Sequence, residues 1–204
     1  FLYMYRQYFF SLLAVILVSI GTAVFQLPDS KFRIIACDVG QGDAILITYK
    51  NIQILTDGGP NNKSIDCLGR HLPFWDRNIE LVVSTHPDSD HSTGLIDVIR
   101  RYNVDTILAN PVKSSSQTYQ VLENVVGSKG VSVLDPYEGM KLRLGMIYLD
   151  ILHPPDDFME AKTNNNSVVF TVKFDKFEAL VTGDIEDSVS VLIAVGWTIG
   201  SIVY

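Results

Sequence analysis

The alternation of apolar and polar residues divides the chain into an uncharged front and a longer mixed part. Residues 7–28 carry no charge, and no polar stripe runs through their centre. An apolar run of about 20 residues matches the hydrocarbon core of a bilayer, and Tyr3, Tyr5 and Tyr8 would form an aromatic belt at one interface. The run is longer than the apolar region of a typical signal peptide. We therefore predict a transmembrane helix and its flank in residues 1–28, rather than a signal peptide or a buried helix.

Residues 31–204 follow another pattern, in which short apolar stretches are broken by glycine, proline and asparagine. Alternation with period two and short buried runs predict strands, whereas apolar residues at helical spacing predict helices. The predicted strands are 32–39, 44–49, 52–57, 79–85, 106–109, 131–134, 146–152, 168–174 and 177–182, and the predicted helices are 64–74, 93–102 and 119–127. Asp57, His86 and Asp184 end strands or follow them closely. Strand ends of this kind meet at one edge of a sheet, where functional sites tend to be built.

Composition and charge narrow the classes of function. The 204 residues are enough for one core of ordinary size. The formal net charge of −7 argues against a broad basic surface for nucleic acid. Nucleic acid stays open as a substrate, because bound divalent metals reverse the sign of the charge inside a cleft.

The two cysteines, Cys37 and Cys67, are far apart and form no Cys-x-x-Cys pair. This spacing argues against a disulfide framework and against a cysteine zinc site. We therefore expect both cysteines to be buried small apolar residues.

Four side chains that can bind a metal fall within six residues, namely His86, Asp88, Asp90 and His91. Imidazole and carboxylate together suit zinc, manganese or iron. Alternate side chains would let His86, Asp88 and Asp90 face one side of an extended turn, and His91 could reach a second metal about 3.5–4 Å away. The alternative is a solvated acidic loop, which the position between a buried strand and a helix disfavours.

Two further residues lie just after apolar strands. Asp184 follows Gly183, so its carboxylate would lie at a strand tip, although an aspartate in this position is more often a helix N-cap. His153 follows the strand 146–152, and we expect it to be a loop residue rather than part of a site.

Taken together, these motifs resemble the metallo-β-lactamase domain of the ComEC/Rec2 family, membrane proteins that pass transforming DNA across the cytoplasmic membrane. The matching segments are 38–44 (DVGQGDA), 55–59 (LTDGG), 84–95 (STHPDSDHSTGL), 152–154 (LHP), 165–169 (NNSVV) and 182–186 (TGDIE). The first and third segments are specific, and the others support them. The resemblance implies an α/β fold, the metallo-β-lactamase αββα sandwich, in residues 31–204. It also implies a location in the cell (cytoplasmic) membrane, with this domain on the outer side.

The resemblance further implies roles for the motif residues. The wider superfamily has a His-x-His-x-Asp-His motif, and its second histidine position is Asp88 here, as in the ComEC branch. A carboxylate in that place favours manganese or magnesium more than an all-histidine site does. His86 and Asp88 would bind one metal, Asp90 and His91 the other, and Asp184 would bridge both.

Other segments would support this ligand set. Asp43 and Asp57 are expected to orient the ligands or to close the turn. Residues 165–167 occupy the region where other branches of the superfamily place a third histidine.

One departure from the family pattern concerns the end of the chain. The family continues after Thr-Gly-Asp with a helix, a strand and a His-His-Gly-Ser segment that supplies another ligand or a catalytic histidine. Residues 186–204 contain no such segment. We therefore expect a fragment, cut at both ends and incomplete at the C-terminus. A second membrane segment in residues 189–204 is the alternative, which two glycines and the short length disfavour.

These implications lead to three hypotheses of function. The first is a phosphodiesterase or nuclease that uses two divalent metal ions (manganese or zinc, or else magnesium), with Asp90 and Asp184 in the catalytic centre. Its substrate would be single-stranded DNA during uptake, and its partners the lipid bilayer and other membrane segments of the parent protein. The second is a catalytically incomplete metal- or DNA-binding part of a membrane DNA channel. The third is a hydrolase of small esters, lactams or thioesters, which usually has a fuller histidine set.

Overall fold

The structure, a computed structural model, describes residues 2–25, 30–110, 116–155 and 164–185. It begins with the helix α1 (Leu2–Phe25). The segment Tyr5–Thr22 of this helix is long and apolar enough to cross a membrane and is not buried against the rest of the protein. The predicted N-terminal helix is thus confirmed as a helix of membrane-spanning length and composition. The tail Val189–Tyr204, considered above as a second span, lies outside the described residues.

Two sheets, three α-helices and a short 3-10 helix (Asn164–Asn166) form the rest of the described structure. The first sheet has the strand order β1-β2-β3-β4-β5-β6, with β1 (Arg33–Ala36), β2 (Ile45–Tyr49), β3 (Ile52–Thr56), β4 (Asn78–Ser84), β5 (Asn103–Ala109) and β6 (Ser132–Leu134). The second sheet has the order β10-β9-β8-β7, with β7 (Lys141–Leu144), β8 (Ile147–His153), β9 (Val169–Phe174) and β10 (Phe177–Val181). The helices are α2 (Lys63–His71), α3 (Ser89–Arg101) and α4 (Gln117–Lys129).

The alternation of side chains in the first sheet supplies two separate cores. Leu46 and Leu55 point to one face and pack with the helices, including Leu95 of α3. Their neighbours Ile47 and Ile54 point to the other face and pack against the second sheet. Successive residues of a strand point to opposite faces, so each strand serves both cores. The result is a layered arrangement of helices, sheet and sheet, and within the described ranges no helix covers the outer face of the second sheet.

The strand directions define two edges of the first sheet. Strands β3, β4, β5 and β6 run parallel, so their ends form a C-terminal edge and their beginnings form an N-terminal edge. The second sheet joins the C-terminal edge through a hydrogen bond of 2.9 Å from the Val168 nitrogen to the Thr85 oxygen. Asp57 directly follows β3, and Thr85 and His86 follow β4 at this edge, as the strand-end pattern predicted for Asp57 and His86.

Three local expectations differ from the structure. Helix α3 begins at Ser89 rather than at residue 93, so Asp90 lies in its first turn and not in an extended turn. Asp88 adopts the extended backbone of an N-cap residue, which allows this early start. Strand β7 was not predicted, since it is a short edge strand with alternating basic residues. His153 is the last residue of β8 and is buried, so the expected loop position is wrong.

The expectation for the cysteines is also wrong, because Cys37 and Cys67 form a disulfide with a Cα–Cα distance of 5.7 Å. Helix α2 carries Cys67 and Leu68 into the core beneath the helices, and Cys37 packs against the same core just after β1. The separation of 30 residues in the sequence therefore does not keep the two sulfur atoms apart. The sequence argument considered spacing alone, whereas the fold brings these elements together.

Candidate metal centre

Backbone contacts fix the loop after β3 against the first turn of α3. The Gly58 nitrogen donates to the His91 oxygen at 2.8 Å, and the Gly94 nitrogen donates to the Gly59 oxygen at 2.9 Å. A Cβ on Gly94 would collide with the Gly58 carbonyl oxygen, so this approach requires glycine. The two segments that carry Asp57 and His91 are consequently held at a fixed separation.

Asp57 is buried at this contact and is the acceptor of three hydrogen bonds. Its carboxylate accepts from the Thr85 nitrogen at 2.9 Å, from the Thr85 hydroxyl at 2.6 Å and from Nδ1 of His91 at 3.0 Å. Its backbone has a φ of 55°, a left-handed conformation that the surrounding hydrogen bonds stabilise. These contacts fit the orienting role that the sequence suggested for Asp57, because they set the ring position of His91.

The same threonine determines which nitrogen of His86 carries the proton. The Thr85 hydroxyl has one proton, and the Asp57 carboxylate can only accept it. The Thr85 oxygen therefore accepts from Nδ1 of His86, 3.0 Å away. Burial and the neighbouring His91 lower the pKa of His86, so its neutral form is favoured. Nε2 of this neutral ring then carries a lone pair, the state that a metal ligand needs.

His91 lies between two carboxylates. Nδ1 faces Asp57, and Nε2 is 3.3 Å from a carboxylate oxygen of Asp184. Burial lowers the pKa of His91, but the hydrogen bond to Asp57 and the charges of Asp57, Asp184 and Asp90 outweigh it and raise the pKa to about 9. In the metal-free protein the imidazolium thus neutralises part of the acidic cluster.

Asp43 and Asp184 bring two exposed carboxylates to the same place from separate loops. Gly183, with a φ of 54°, packs where a Cβ would be 3.1 Å from the Thr85 side chain, and this contact places Asp184 beside β4. Gly42 packs against the Asp90 carbonyl so closely that a Cβ would collide with it. Burial raises the pKa of Asp43, with the positive His91 opposing the shift.

The structure groups these residues in two sets, each with ligand atoms within 4.8 Å of one another. One set is Asp57, His86 and His91, and the other is Asp43, His91 and Asp184. His91 belongs to both. The grouping differs from the expected division, because the two histidines lie together, with ring centroids 4.1 Å apart.

Asp88 and Asp90 belong to neither set. A carboxylate oxygen of Asp88 is 3.9 Å from Nε2 of His86, and its side chain makes no capping hydrogen bond to α3. A carboxylate oxygen of Asp90 lies 3.5 Å from the side-chain nitrogen of Gln41. Asp88 therefore borders the histidine pair, whereas Asp90 faces the loop after β1.

The donor atoms of this cluster fit a metal. Nε2 of His86 and Nε2 of His91 are buried, and neither makes a hydrogen bond within the described residues, although Nε2 of His91 faces Asp184 at 3.3 Å. A buried nitrogen without a partner is costly, and coordination to a metal would satisfy it. Two imidazoles with several carboxylates form a mixed nitrogen and oxygen set of the kind that zinc and manganese accept.

Two residues of this region were undervalued from the sequence. Thr85 contacts both Asp57 and His86, but a threonine at the end of a strand carries no distinctive signal. His153 is buried, and its Nδ1 lies 2.9 Å from the Ser167 oxygen. Its signal was available, because it follows the predicted strand 146–152 directly, as His86 follows the predicted strand 79–85. Asn165 and Asn166, just before Ser167, are buried as well.

Comparisons with known proteins agree with this architecture. No protein-family model matches the chain. The Rm3 metallo-beta-lactamase is similar in structure, with a TM-score of 0.52 and 17% identity over 76% of this chain and 59% of that protein. The metallo-beta-lactamase fold protein YhfI from Bacillus subtilis has a TM-score of 0.54 and 14% identity over 77% of this chain and 64% of that protein.

A protein from Thermotoga maritima, provisionally described as a metallo-beta-lactamase, has a TM-score of 0.56 and 16% identity over 85% of this chain and 95% of that protein. The chain spans less than two thirds of the length of Rm3 and YhfI. Identities this low report on architecture and not on substrate. The layered sheets, the strand-end cluster and these similarities together establish that the chain has the metallo-β-lactamase fold.

Proposed function

We propose that this chain is the membrane-anchored, metal-dependent hydrolase domain of a ComEC/Rec2-type protein and acts as a phosphodiesterase on DNA during uptake. One observation carries the hydrolase part of the proposal. The buried Nε2 atoms of His86 and His91 have no hydrogen-bond partner among the described residues and lie among carboxylates, including Asp184. Such an arrangement is suited to divalent metals and has no evident use in packing.

The residues of the centre have distinct tasks in this proposal. His86, His91, Asp43 and Asp184 would hold the metals, with Asp88 beside His86. Divalent metals in such a site lower the pKa of a water molecule and neutralise charge on a phosphate. Asp57 accepts a hydrogen bond from Nδ1 of His91, and Nε2 of the same ring therefore faces the cluster.

The choice of a phosphodiester substrate rests on the sequence motifs and on charge. Segments 38–44 and 84–95 resemble the ComEC branch, in which Asp88 stands at a histidine position of the superfamily. Without metals, Asp43 and Asp184 would repel a polyanion, whereas metals would turn the same edge into an attractive one. Single-stranded DNA is therefore the substrate that we propose, with manganese or zinc as the metals.

The disulfide supports a location on the outer side of the membrane. Disulfides persist in oxidising compartments and are rare where cellular thiols are reduced. The Cys37–Cys67 bond lies in the same domain as the metal cluster. With α1 as the anchor, the metallo-β-lactamase-fold domain would face the exterior, where incoming DNA is met.

The test is a nuclease assay on the full chain in detergent micelles with manganese and end-labelled single-stranded DNA. Wild type is expected to cleave the DNA, and Asp184→Ala and His86→Ala, which remove members of the two metal-binding sets, are expected to lose most of the activity. Asp105→Ala is the matched control, since Asp105 is exposed at the opposite edge of the sheet. Equal cleavage by His86→Ala and wild type would contradict the proposed role of the cluster.

Metal content and a second substrate separate the proposal from its competitors. Two tightly held metals per chain are expected by elemental analysis. One weakly held metal or none, together with DNA binding but no cleavage, would instead indicate a non-catalytic part of a DNA channel. Hydrolysis of a chromogenic lactam, with intact DNA in the parallel assay, would indicate a small-molecule hydrolase.

A further inference from the structure

An exposed aromatic pair lies at the N-terminal edge of the first sheet, far from the metal cluster. Phe74 and Trp75 occupy the loop between α2 and β4, and their rings meet edge to face with centroids 4.9 Å apart. Phe74 is 64% exposed and Trp75 is 39% exposed. Contiguous exposed apolar surface marks interaction sites more often than single exposed apolar residues do. Tryptophan in particular is enriched where a protein meets the headgroup region of a bilayer.

Basic side chains surround this pair at the same edge. Helices α3 and α4 run opposite to the strands that they connect, so their C-terminal ends come to the N-terminal edge. Exposed basic residues there come from the turn between β2 and β3, the loop before β4 and the ends of the two helices: Lys50, Arg77, Arg100, Arg101 and Lys129. The Arg77 oxygen accepts a hydrogen bond of 2.7 Å from the Asn103 nitrogen, which joins this loop to the start of β5.

Two of the carboxylates at this edge accept hydrogen bonds from the same residue, Gln53. Asp76 accepts from the Gln53 side chain at 2.9 Å, and Glu80 accepts from the Gln53 backbone nitrogen at 2.6 Å. Asp105 and Asp175 also lie toward this edge, and Asp97 pairs with Arg100 at 3.8 Å. With the exposed Arg33 and Lys176 included, the basic residues at this edge still outnumber the acidic ones. The carboxylates of the metal cluster lie at the opposite edge. The domain is therefore electrically polarised, although the net charge of the chain is −7.

The chain enters the domain at this same basic edge. Strand β1 begins at Arg33, which pairs with Thr48 next to the turn between β2 and β3. Helix α1 ends at Phe25, only eight residues before Arg33. Eight residues span at most roughly 28 Å. If α1 crosses a membrane, the start of β1 at this edge is held within that distance of the end of the helix.

From these observations we propose that the N-terminal edge, with Phe74, Trp75 and the surrounding basic residues, lies on the bilayer and binds its anionic lipid headgroups. The proposal rests on the membrane anchoring by α1 in the proposed function. Basic residues are attracted to anionic headgroups, and the aromatic pair reaches the interface below them. The metal cluster then faces away from the membrane, so that a substrate reaches it from the aqueous side.

Single-stranded nucleic acid is the competing occupant, because it also binds aromatic and basic side chains. DNA held at this edge would lie about a strand length, roughly 20 Å, from the metal cluster. With α1 as the anchor, the chain enters the domain at this edge, which lies nearer to the anchor along the chain than the cluster does. These two facts favour lipid over nucleic acid.

The test is fluorescence quenching by brominated lipids in the full chain. The sequence has two tryptophans, so Trp197→Phe leaves Trp75 as the only one. The chain is reconstituted in vesicles of phosphatidylcholine and phosphatidylglycerol with bromine near the carbonyl end of the acyl chains. Trp75 emission is expected to fall at least about twofold, as for an interfacial tryptophan. The matched control places the probe at the other edge, through Tyr137→Trp with both natural tryptophans changed to phenylalanine, and no quenching is expected there.

Charge reversal tests the lipid specificity. Arg77→Glu combined with Arg101→Glu is expected to remove most of the Trp75 quenching, and vesicles without phosphatidylglycerol should have the same effect. Lys63→Glu, at the start of α2 near the C-terminal edge, is the control that should leave the quenching unchanged. Near-ultraviolet circular dichroism of each variant shows that the domain is still folded.

The remaining outcomes distinguish the lipid-facing edge from the anchored hydrolase and from a nucleic-acid surface. A chain that floats with the vesicles while Trp75 remains unquenched overturns the lipid-facing edge but leaves the anchored hydrolase intact. Equal quenching of the probes at positions 75 and 137 also overturns it. Loss of single-stranded DNA binding in the charge-reversed variant, with quenching unchanged, would identify a nucleic-acid surface instead. A chain that does not float with the vesicles contradicts both the edge and the anchor.

Discussion

The cluster of candidate metal ligands has a buried half and an exposed half, and the two halves are built differently. In the buried half, Asp57, Thr85, His86 and His91 hydrogen-bond to one another at the ends of β3 and β4 and the start of α3. In the exposed half, Asp184 reaches in from a loop, with 44% of its side chain exposed against 1% for Asp57. The buried half is formed by folding itself. The exposed half adds charge to a geometry that already exists, so the two halves should respond differently to substitution.

Removal of Asp57 should break the buried half and have the largest effect on stability. Asp57→Ala leaves the Thr85 nitrogen and Nδ1 of His91 buried without their acceptor. The loss of one partner of a buried charged pair costs about 3–5 kcal/mol in the free energy of unfolding. The measurement is guanidinium unfolding of the metal-free full chain in detergent micelles, followed by near-ultraviolet circular dichroism.

Asp184→Ala is the matched control for this change, because it removes a carboxylate from the other side of the same imidazole. If both variants lost the same stability, the distinction between a buried and an exposed half would be wrong. The free energy of unfolding of Asp57→Asn should fall between those of wild type and Asp57→Ala, since the amide oxygen can still accept a hydrogen bond from Thr85.

A rise in pH should weaken the buried half next most strongly. The pKa of His91 is raised to about 9 in the folded, metal-free protein because of Asp57 and Asp184, whereas an unfolded histidine titrates near 6.5. The folded state therefore binds the proton more tightly. Its contribution is fully present below about pH 6.5 and is lost as the pH rises through about 9, by up to roughly 3 kcal/mol.

Unfolding curves of the metal-free chain between pH 6 and pH 9.5 measure this loss. His91→Gln should reduce the dependence of the free energy of unfolding on pH, because glutamine has no proton to lose in this range. A wild-type chain whose stability is the same at pH 6.5 and pH 9 would show that Asp57 and Asp184 do not hold the imidazolium.

The sequence predicted the elements of the fold better than the contacts between them. Strand ends carrying Asp57 and His86 were recognisable because buried apolar runs stop at a polar residue. The early start of α3 was missed because the sequence around Asp88 is compatible with a metal ligand as well as with a helix N-cap. Short strands such as β7 are weak signals, since four residues give only two alternations.

Long-range contacts were the part that could not be predicted from local patterns. The disulfide joins residues 30 positions apart, and nothing near Cys37 or Cys67 indicates that α2 packs beside the end of β1. The role of Thr85 depends on two neighbours, of which Asp57 is 28 positions away. A residue type as common as threonine acquires a role at this cluster only through the fold.

Removal of the Thr85 hydroxyl should have a smaller effect on stability than loss of Asp57. Thr85→Val keeps the shape of the side chain and the backbone hydrogen bond to Asp57, but it removes the donor to Asp57 and the acceptor for His86. We expect a loss of about 1–3 kcal/mol in the free energy of unfolding. Metal affinity should also fall, because Nδ1 of His86 loses the acceptor that fixes its tautomer.

Isothermal titration with zinc measures the loss of metal affinity. Thr85→Ser is the conservative control, which should keep most of the stability and most of the metal affinity of the wild type. A valine variant with wild-type metal affinity would mean that the hydroxyl does not orient His86.

The exposed half should show the smallest change in stability and a clear change in metal binding. Asp184→Asn removes a charge from a side chain that is 44% exposed, so the free energy of unfolding of the metal-free chain should fall by about 1 kcal/mol or less. Its carboxylate lies 3.3 Å from Nε2 of His91, where a metal would be held. Zinc or manganese affinity should therefore fall by at least roughly tenfold.

Asp43→Asn, in the same cluster, should reproduce this separation between stability and metal affinity, whereas Asp135→Asn, outside both metal-binding sets, should change neither. The separation is what a centre with two halves requires, because only the buried half takes part in folding. A large loss of stability in Asp184→Asn with unchanged metal affinity would reverse the roles of the two halves. In that case the pairing of Asp184 with His91 in the folded protein, and not metal binding, would be the main role of this carboxylate.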